Sequence, residues 1–158
     1  MRESSLGSGL VYAALGVAVL SLGVAVFAML RTAAGEPEYT ESQRSDAKAA
    51  ICTAFDTVST GVAVNTNLEP PVGSGDINGA LAVAANARVA LYGGGQYLLA
   101  RLDPATPADL AREIRSFGNQ LMDIGAAATA GVPNTDPVQA GRLENAEAAS
   151  TALHGLCQ

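Results

Sequence analysis

Charged and aromatic side chains are scarce in this chain. Of its 158 residues, 15% are charged, with nine Lys and Arg against 15 Asp and Glu, and the formal net charge is −6. So few basic residues exclude a polybasic surface for nucleic acid or for anionic lipid headgroups. A hydrophobic fraction of 49% also excludes a disordered chain. We therefore expect a folded protein with no nucleic-acid partner.

The sequence also offers little for catalysis. His154 is the single histidine, and the two cysteines form no CxxC motif, so no zinc-ligand cluster is predicted. Ser150 and Glu147 precede His154 on one predicted helix face, but no oxyanion-hole motif accompanies them. Asp123 is either half-buried or solvated, and no Glu-x-x-His motif is present for a di-metal site. We expect a protein that is not an enzyme, with no metal and no cofactor.

A long apolar run lies near the N-terminus. Leu10 to Leu30 carries no charge, and a helix over it would measure about 31 Å, close to the ~30 Å hydrocarbon core of a bilayer. The alternative is a cleaved signal peptide, whose apolar region is shorter, at about 7–15 residues. The run predicts a transmembrane helix over 10–30, preceded by a cytoplasmic stretch over 1–9 and followed by a juncture over 31–39.

Small residues recur within this run at alternating spacings of four and three. Such a stripe lets a second membrane helix approach closely. The alternative is that alanine is simply common in this chain. The predicted membrane-helix packing residues are Ala14, Ala18, Ser21, Ala25 and Ala28.

The two cysteines bear on both the fold and the compartment. A bond between Cys52 and Cys157 would close a loop of about a hundred residues, worth about 4–5 kcal/mol in the chain-entropy model. Disulfides persist in oxidising compartments. The alternative is two separate buried thiols, and Arg31 and Arg44 alone would favour the opposite orientation. We predict a disulfide, and a single-pass protein of the plasma membrane whose domain over 40–158 is extracytoplasmic, or periplasmic.

That domain predicts four helices and no strand. N-caps are expected at Thr40, with Gln43 as its capping-box partner, and at Asp76, Thr106 and Asp136. Apolar residues at helical spacing define the core faces of the first, third and fourth helices. They are Ala47, Ile51, Ala54, Phe55, Val58 and Val62; Leu110, Ile114, Phe117, Leu121 and Ile124; and Leu143, Ala146, Ser150, Leu153 and Cys157.

The second helix is less regular. Its expected stripe is Ile77, Ala80, Leu81, Ala84 and Leu91, and Gly93–Gly95 then interrupts it. Three interior glycines cost about 3 kcal/mol relative to alanine, which predicts a kink, a break or close backbone packing. A phosphate-binding loop is the alternative, but it lacks the required lysine. The preceding segment, Asn65–Gly75, is a loop by composition, either a plain surface loop or a partner contact.

The fold class is therefore all-α. We expect one N-terminal transmembrane helix followed by a small antiparallel four-helix bundle closed by a disulfide.

Several stretches together resemble a known group of proteins. They are AICTAFDTVSTGVAVNTN over Ala50–Asn67, NARVALYGGGQYLLARLDPATP over Asn86–Pro107, IRSFGNQLMDIG over Ile114–Gly125 and EAASTALHGLC over Glu147–Cys157. With the apolar run, they resemble the single-pass, alanine-rich membrane proteins of mycobacteria. Within these, the chain is similar to the LucB-like accessory subunits of Mce-type lipid importers.

The resemblance implies partners and a cargo. The partners are a YrbE-type permease, the Mce proteins outside the membrane, the cytoplasmic ATPase and membrane lipid, and the cargo is fatty acids. The function expected is a non-catalytic accessory subunit that docks onto the permease through its transmembrane helix. The alternatives are a lipid-binding helical module, or an accessory subunit of another actinobacterial membrane complex.

Overall fold

The structure, a computed structural model, describes residues 16–18, 20–27, 29, 38–68 and 76–158. The chain forms two compact units, Met1–Glu38 and Tyr39–Gln158. The second contains four helices: α1 over Glu41–Thr66, α2 over Ile77–Ala100, α3 over Ala108–Thr129 and α4 over Pro137–Cys157. No strand occurs in the described ranges, so the prediction of an all-helical bundle is confirmed.

In the first unit, the described helical positions are 16–18, 20–27 and 29. A membrane span needs about 20 consecutive apolar residues in a helix, and none of the helices described for this chain is both long and apolar enough to cross a bilayer. The predicted transmembrane helix over 10–30 is therefore wrong. The fold class is corrected to an all-α chain with a four-helix bundle.

Helix starts follow the predicted caps at three of the four helices. Thr40 accepts from the Gln43 amide at 3.2 Å, and the Gln43 side chain accepts from the Thr40 amide at 2.9 Å. Asp76 and Asp136 cap α2 and α4, because their carboxylates accept hydrogen bonds from backbone amides in the first turn of each helix. These bonds satisfy amide groups that have no partner within the helix.

The cap of α3 was predicted one residue too early. Pro107 is its N-cap and makes no side-chain capping bond. Thr106 is instead buried, and its hydroxyl has no hydrogen-bond partner. The end of α3 is more regular: the amides of Gly131 and Val132 donate to the carbonyls of Ala128 and Ala127. This pattern is a Schellman motif, and Gly131 takes the left-handed conformation it requires, with φ 83°.

The core lies between α1, α3 and the C-terminal halves of α2 and α4. Phe55 from α1 packs edge-on against Phe117 from α3, with ring centroids 5.6 Å apart. The same core cluster includes the fully buried residues Ile51, Leu98, Ile114 and Leu153. All the predicted core positions of α3 are buried, and so are those of α1 except Val62, which is partly buried.

The glycine triplet does not interrupt α2, which is a continuous helix from Ile77 to Ala100. Gly94 lies against Val58 of α1, and Gly95 lies against Gly118 of α3. A methyl group on Gly95 would collide with the Gly118 carbonyl oxygen and would lie 2.7 Å from Met122 Cγ. Close backbone packing, one of the three expected explanations, therefore offsets the low helix propensity of these glycines.

Gly93 and Gly95 provide a matched pair of substitutions. Gly93 has nothing within 4 Å of its Cβ position, so Gly93→Ala should stabilise the protein by about 0.5–1 kcal/mol through helix propensity. Gly95→Ala should force α2 away from α3 and destabilise the protein by about 1–3 kcal/mol. Urea unfolding followed by circular dichroism measures both values. Equal effects of the two substitutions would contradict close packing at Gly95.

Candidate functional site

The predicted disulfide is present. Cys52 of α1 and Cys157 of α4 are bonded, with their Cα atoms 5.6 Å apart and a sequence separation of 105. Both cysteines of the chain are therefore in this bond, and no thiol is free. The bond joins the first and last helices of the bundle, because their packing brings the middle of α1 beside the end of α4.

His154 strengthens the same end of the bundle. Its ring packs edge-on against Phe55, with centroids 4.8 Å apart, while the residue itself is exposed. Cys52–Cys157 and Phe55–His154 are successive contacts along the boundary between α1 and α4, which we call the α1–α4 seam. Consecutive helices pack extensively, whereas α1 and α4 approach each other sparsely.

A cleft of about 800 Å³ opens along the seam away from the disulfide. On the α1 side it is lined by Ser59, Val62 and Ala63, and on the α4 side by Ala146 and Ser150. These are small or medium side chains, so they do not fill the space between the two helices. The disulfide holds α1 and α4 together at Cys52 and Cys157, and the two helices make few other close contacts. The small side chains and the sparse contact together leave the gap.

The floor of the cleft is apolar. It consists of Leu91 from α2 and Phe117, Leu121 and Ile124 from α3, all members of the hydrophobic core. Leu143 from α4 adds a partly buried apolar wall. A ligand entering the seam would therefore meet hydrocarbon at its inner end.

The rim is polar and carries one charge of each sign. Arg88 and Glu147 line it, together with Thr66 and Asn67 at the end of α1. Arg88 is held in place because its Nε donates to the Ala128 carbonyl at 3.1 Å. An apolar interior with a few polar groups at the mouth, and a volume between about 300 and 1,000 Å³, is typical of small-molecule sites.

Among the described residues, the side chains once considered for catalysis do not form one cluster around His154. Its ring contacts Phe55, and Ser150 and Glu147 belong to the cleft lining. Asp123 is exposed, which favours the solvated alternative. Among the residues described, no three His, Cys, Asp or Glu side chains lie close enough together to hold a metal ion.

Three of the five predicted packing residues of the N-terminal run are among the described residues. Ala14 and Ala28 lie outside the described residues. Ala18, Ser21 and Ala25 are exposed positions of the helical segment, and the Ser21 hydroxyl donates to the Val17 carbonyl at 2.9 Å. Nothing in the structure tests whether these residues contact a partner, so that role remains a prediction.

Of the predicted loop Asn65–Gly75, Asn65 and Thr66 belong to α1, and 69–75 lie outside the described residues.

The cleft was not predicted from the sequence. Its walls come from residues expected in the core or on the surface, and periodicity does not show how far apart two helices stand. A weak signal did exist, since Ser59, Ala63, Ala146 and Ser150 place small side chains on both helices.

Comparison with known proteins adds no further constraint: the chain matches no family model, no curated protein and no solved structure at a significant level.

Removing the disulfide should destabilise the bundle strongly. Replacing both Cys52 and Cys157 by Ser releases a loop of about a hundred residues, and the expected loss is about 4 kcal/mol. The measurement is urea unfolding of the protein with and without reductant. Reductant should lower the stability of the wild-type protein and leave the double variant unchanged. A wild-type protein whose stability is insensitive to complete reduction would contradict this expectation.

Proposed function

We propose that the protein is a non-catalytic, lipid-binding accessory subunit that acts outside the cytoplasm. The observation that carries this proposal is the α1–α4 cleft, with its apolar floor and polar rim. An acyl chain fits such a site because its methylene groups lose contact with water along Leu121, Ile124 and Leu143, at about 0.8 kcal/mol for each buried methylene. The polar end of the lipid would lie at the rim.

The extracytoplasmic location in this proposal is supported by the disulfide. Cys52 and Cys157 are bonded to each other, and such bonds persist where thiols are not kept reduced. The bond also joins α1 and α4, which both line the cleft, so its loss in a reducing compartment would affect the site itself. The proposal therefore places the bundle on the periplasmic side of the plasma membrane.

The partners in this proposal come from the resemblance to LucB-like proteins. We propose that the subunit serves an Mce-type lipid importer, together with its YrbE-type permease and Mce proteins. Binding of a lipid acyl chain by the bundle would suit an accessory role in fatty acid import. An accessory role in another actinobacterial membrane complex is the remaining alternative.

Acyl-chain binding should depend on the width of the cleft. Ala63 and the adjacent Val64 are both exposed on α1, and of the two only Ala63 lines the cleft. Ala63→Phe should fill the seam and weaken the binding of a fluorescent long-chain fatty acid by about tenfold or more, which corresponds to about 1.4 kcal/mol. Val64→Phe adds the same ring outside the cleft and should bind like wild type.

The titration is made on the full chain with its disulfide intact, and native mass spectrometry counts the bound lipid. If wild type and both variants bind no fatty acid, the lipid-binding function is refuted. If all three bind it equally, the site lies elsewhere than the cleft.

The accessory role is tested by co-purification. A tagged full chain, solubilised in mild detergent from a mycobacterial host, should bring down the permease and Mce proteins of an importer. Ala63→Phe serves as a control, since it alters the cleft and leaves the rest of the surface unchanged. Recovery of another membrane complex instead would support the alternative partner, and recovery of the tagged chain alone would contradict an accessory role.

A further inference from the structure

Among the described residues, Arg88 is the one basic side chain that lines the cleft. It lies half-buried on α2, and no carboxylate in the described ranges is within ion-pair distance of it, since the ion pairs found there all involve Arg112. A partly desolvated guanidinium without a counter-ion keeps both its charge and its free N–H donors for another partner. Arg88 can therefore bind an anionic group that enters the cleft.

A hydrogen bond to α3 fixes the position of this guanidinium. Arg88 Nε donates to the Ala128 carbonyl at 3.1 Å. That carbonyl also accepts from the Gly131 amide at 3.2 Å, so the end of α3 does not need Arg88 to satisfy it. The bond to Ala128 uses Nε and leaves the two terminal NH₂ groups, whose paired donors match the two oxygens of a carboxylate.

The apolar floor of the cleft extends away from Arg88 along α3. The two helices are antiparallel, because Arg88 contacts Ala128 whereas Gly95 contacts Gly118. The row from Ala128 back to the far end of the floor measures about 16 Å at about 1.5 Å per residue. That length accommodates about a dozen extended methylene groups with C–C bonds of about 1.5 Å. The floor residues in this row are Ile124, Leu121 and Phe117.

This geometry suits an amphiphile whose anionic head is joined directly to one apolar chain. Leu91 follows Arg88 by less than one turn of α2, so the first methylenes after the head already meet the apolar floor. Starting from the acyl-chain site proposed above, we infer that Arg88 determines head-group specificity: it binds the carboxylate of an unesterified fatty acid, and the chain lies along the α3 floor.

A phosphate monoester fits the same position less well. It carries about −1.5 to −2 charges at neutral pH, whereas the cleft lining offers the single cation of Arg88 and also contains the Glu147 carboxylate. A carboxylate has one charge, which the guanidinium neutralises. The site therefore selects a singly charged head over both an uncharged and a doubly charged one.

Head-group selectivity tests this role in the full chain with its disulfide intact. Dodecanoate, dodecanol and dodecyl phosphate are titrated at about pH 8, where the acid is ionised. Arg88→Gln should weaken dodecanoate binding relative to dodecanol by about tenfold, the effect of losing a charge-assisted hydrogen bond. Arg115→Gln is the matched control, because Arg115 is exposed on α3 outside the cleft lining. It should keep the wild-type ratio of the two affinities.

NMR of the wild-type protein gives a second measurement that needs no substitution. The guanidinium nitrogen signals of Arg88 should shift when dodecanoate binds and stay in place when dodecanol binds, whereas a purely structural bond to Ala128 would give no such difference. Absence of binding by all three amphiphiles would refute the lipid-binding function itself. The role of Arg88 alone would be overturned by bound dodecanoate that leaves these signals unshifted, by tighter binding of dodecyl phosphate than of dodecanoate, or by equal ratios in Arg88→Gln and Arg115→Gln.

Discussion

The bond between Cys52 and Cys157 is the constraint on which the bundle depends. In a chain of four helices packed in sequence order, the contact between the first and the last closes the bundle, and no short connection brings these two helices together. Here α1 and α4 meet sparsely, and the bond fixes their Cα atoms 5.6 Å apart at one end. The cleft lies between the same two helices, and its lining includes neither cysteine.

The protein compensates for its lack of large side chains by close backbone approach. No tryptophan is available and aromatic residues are 4% of the chain, so wide spaces between helices could not be filled. Gly95 and Gly118 bring α2 and α3 close together, and Gly125 continues that contact beside Leu91 and Tyr92. Small side chains along α1 and α4 do not bring those two helices close together, because the helices make few contacts with each other. The space between them is the cleft.

Much of the bundle could be predicted from the sequence, because local rules determine it. The caps at Thr40, Asp76 and Asp136 follow from side-chain chemistry at helix starts, and the buried face of α3 follows from a single apolar stripe. Thr106 failed as a cap because burial in the connection before α3 outweighed its capping preference. The membrane span over Leu10 to Leu30 was predicted from hydropathy alone, and none of the helices described for the chain is long and apolar enough to cross a bilayer.

The cleft and the exposed side of α2 depend instead on how helices are placed against each other. Apolar residues occur on most sides of α2, so periodicity wrongly identified Ile77, Ala80 and Leu81 as part of its core face. All three are exposed.

A helix that is apolar on all sides is usually covered on all sides, and α2 is covered on one. Its inner side contains Leu91, Gly95 and Leu98, the residues of α2 that are buried. The exposed apolar residues of α2, which include Ile77, Leu81, Val89 and Tyr92, are all different from these. Packing of the bundle therefore does not explain why they are apolar. An apolar surface that the fold does not need, on a protein with a net charge of −6, requires a separate physical explanation. Contact with another molecule provides one, since it removes that surface from water without disturbing the glycine contacts on the opposite side.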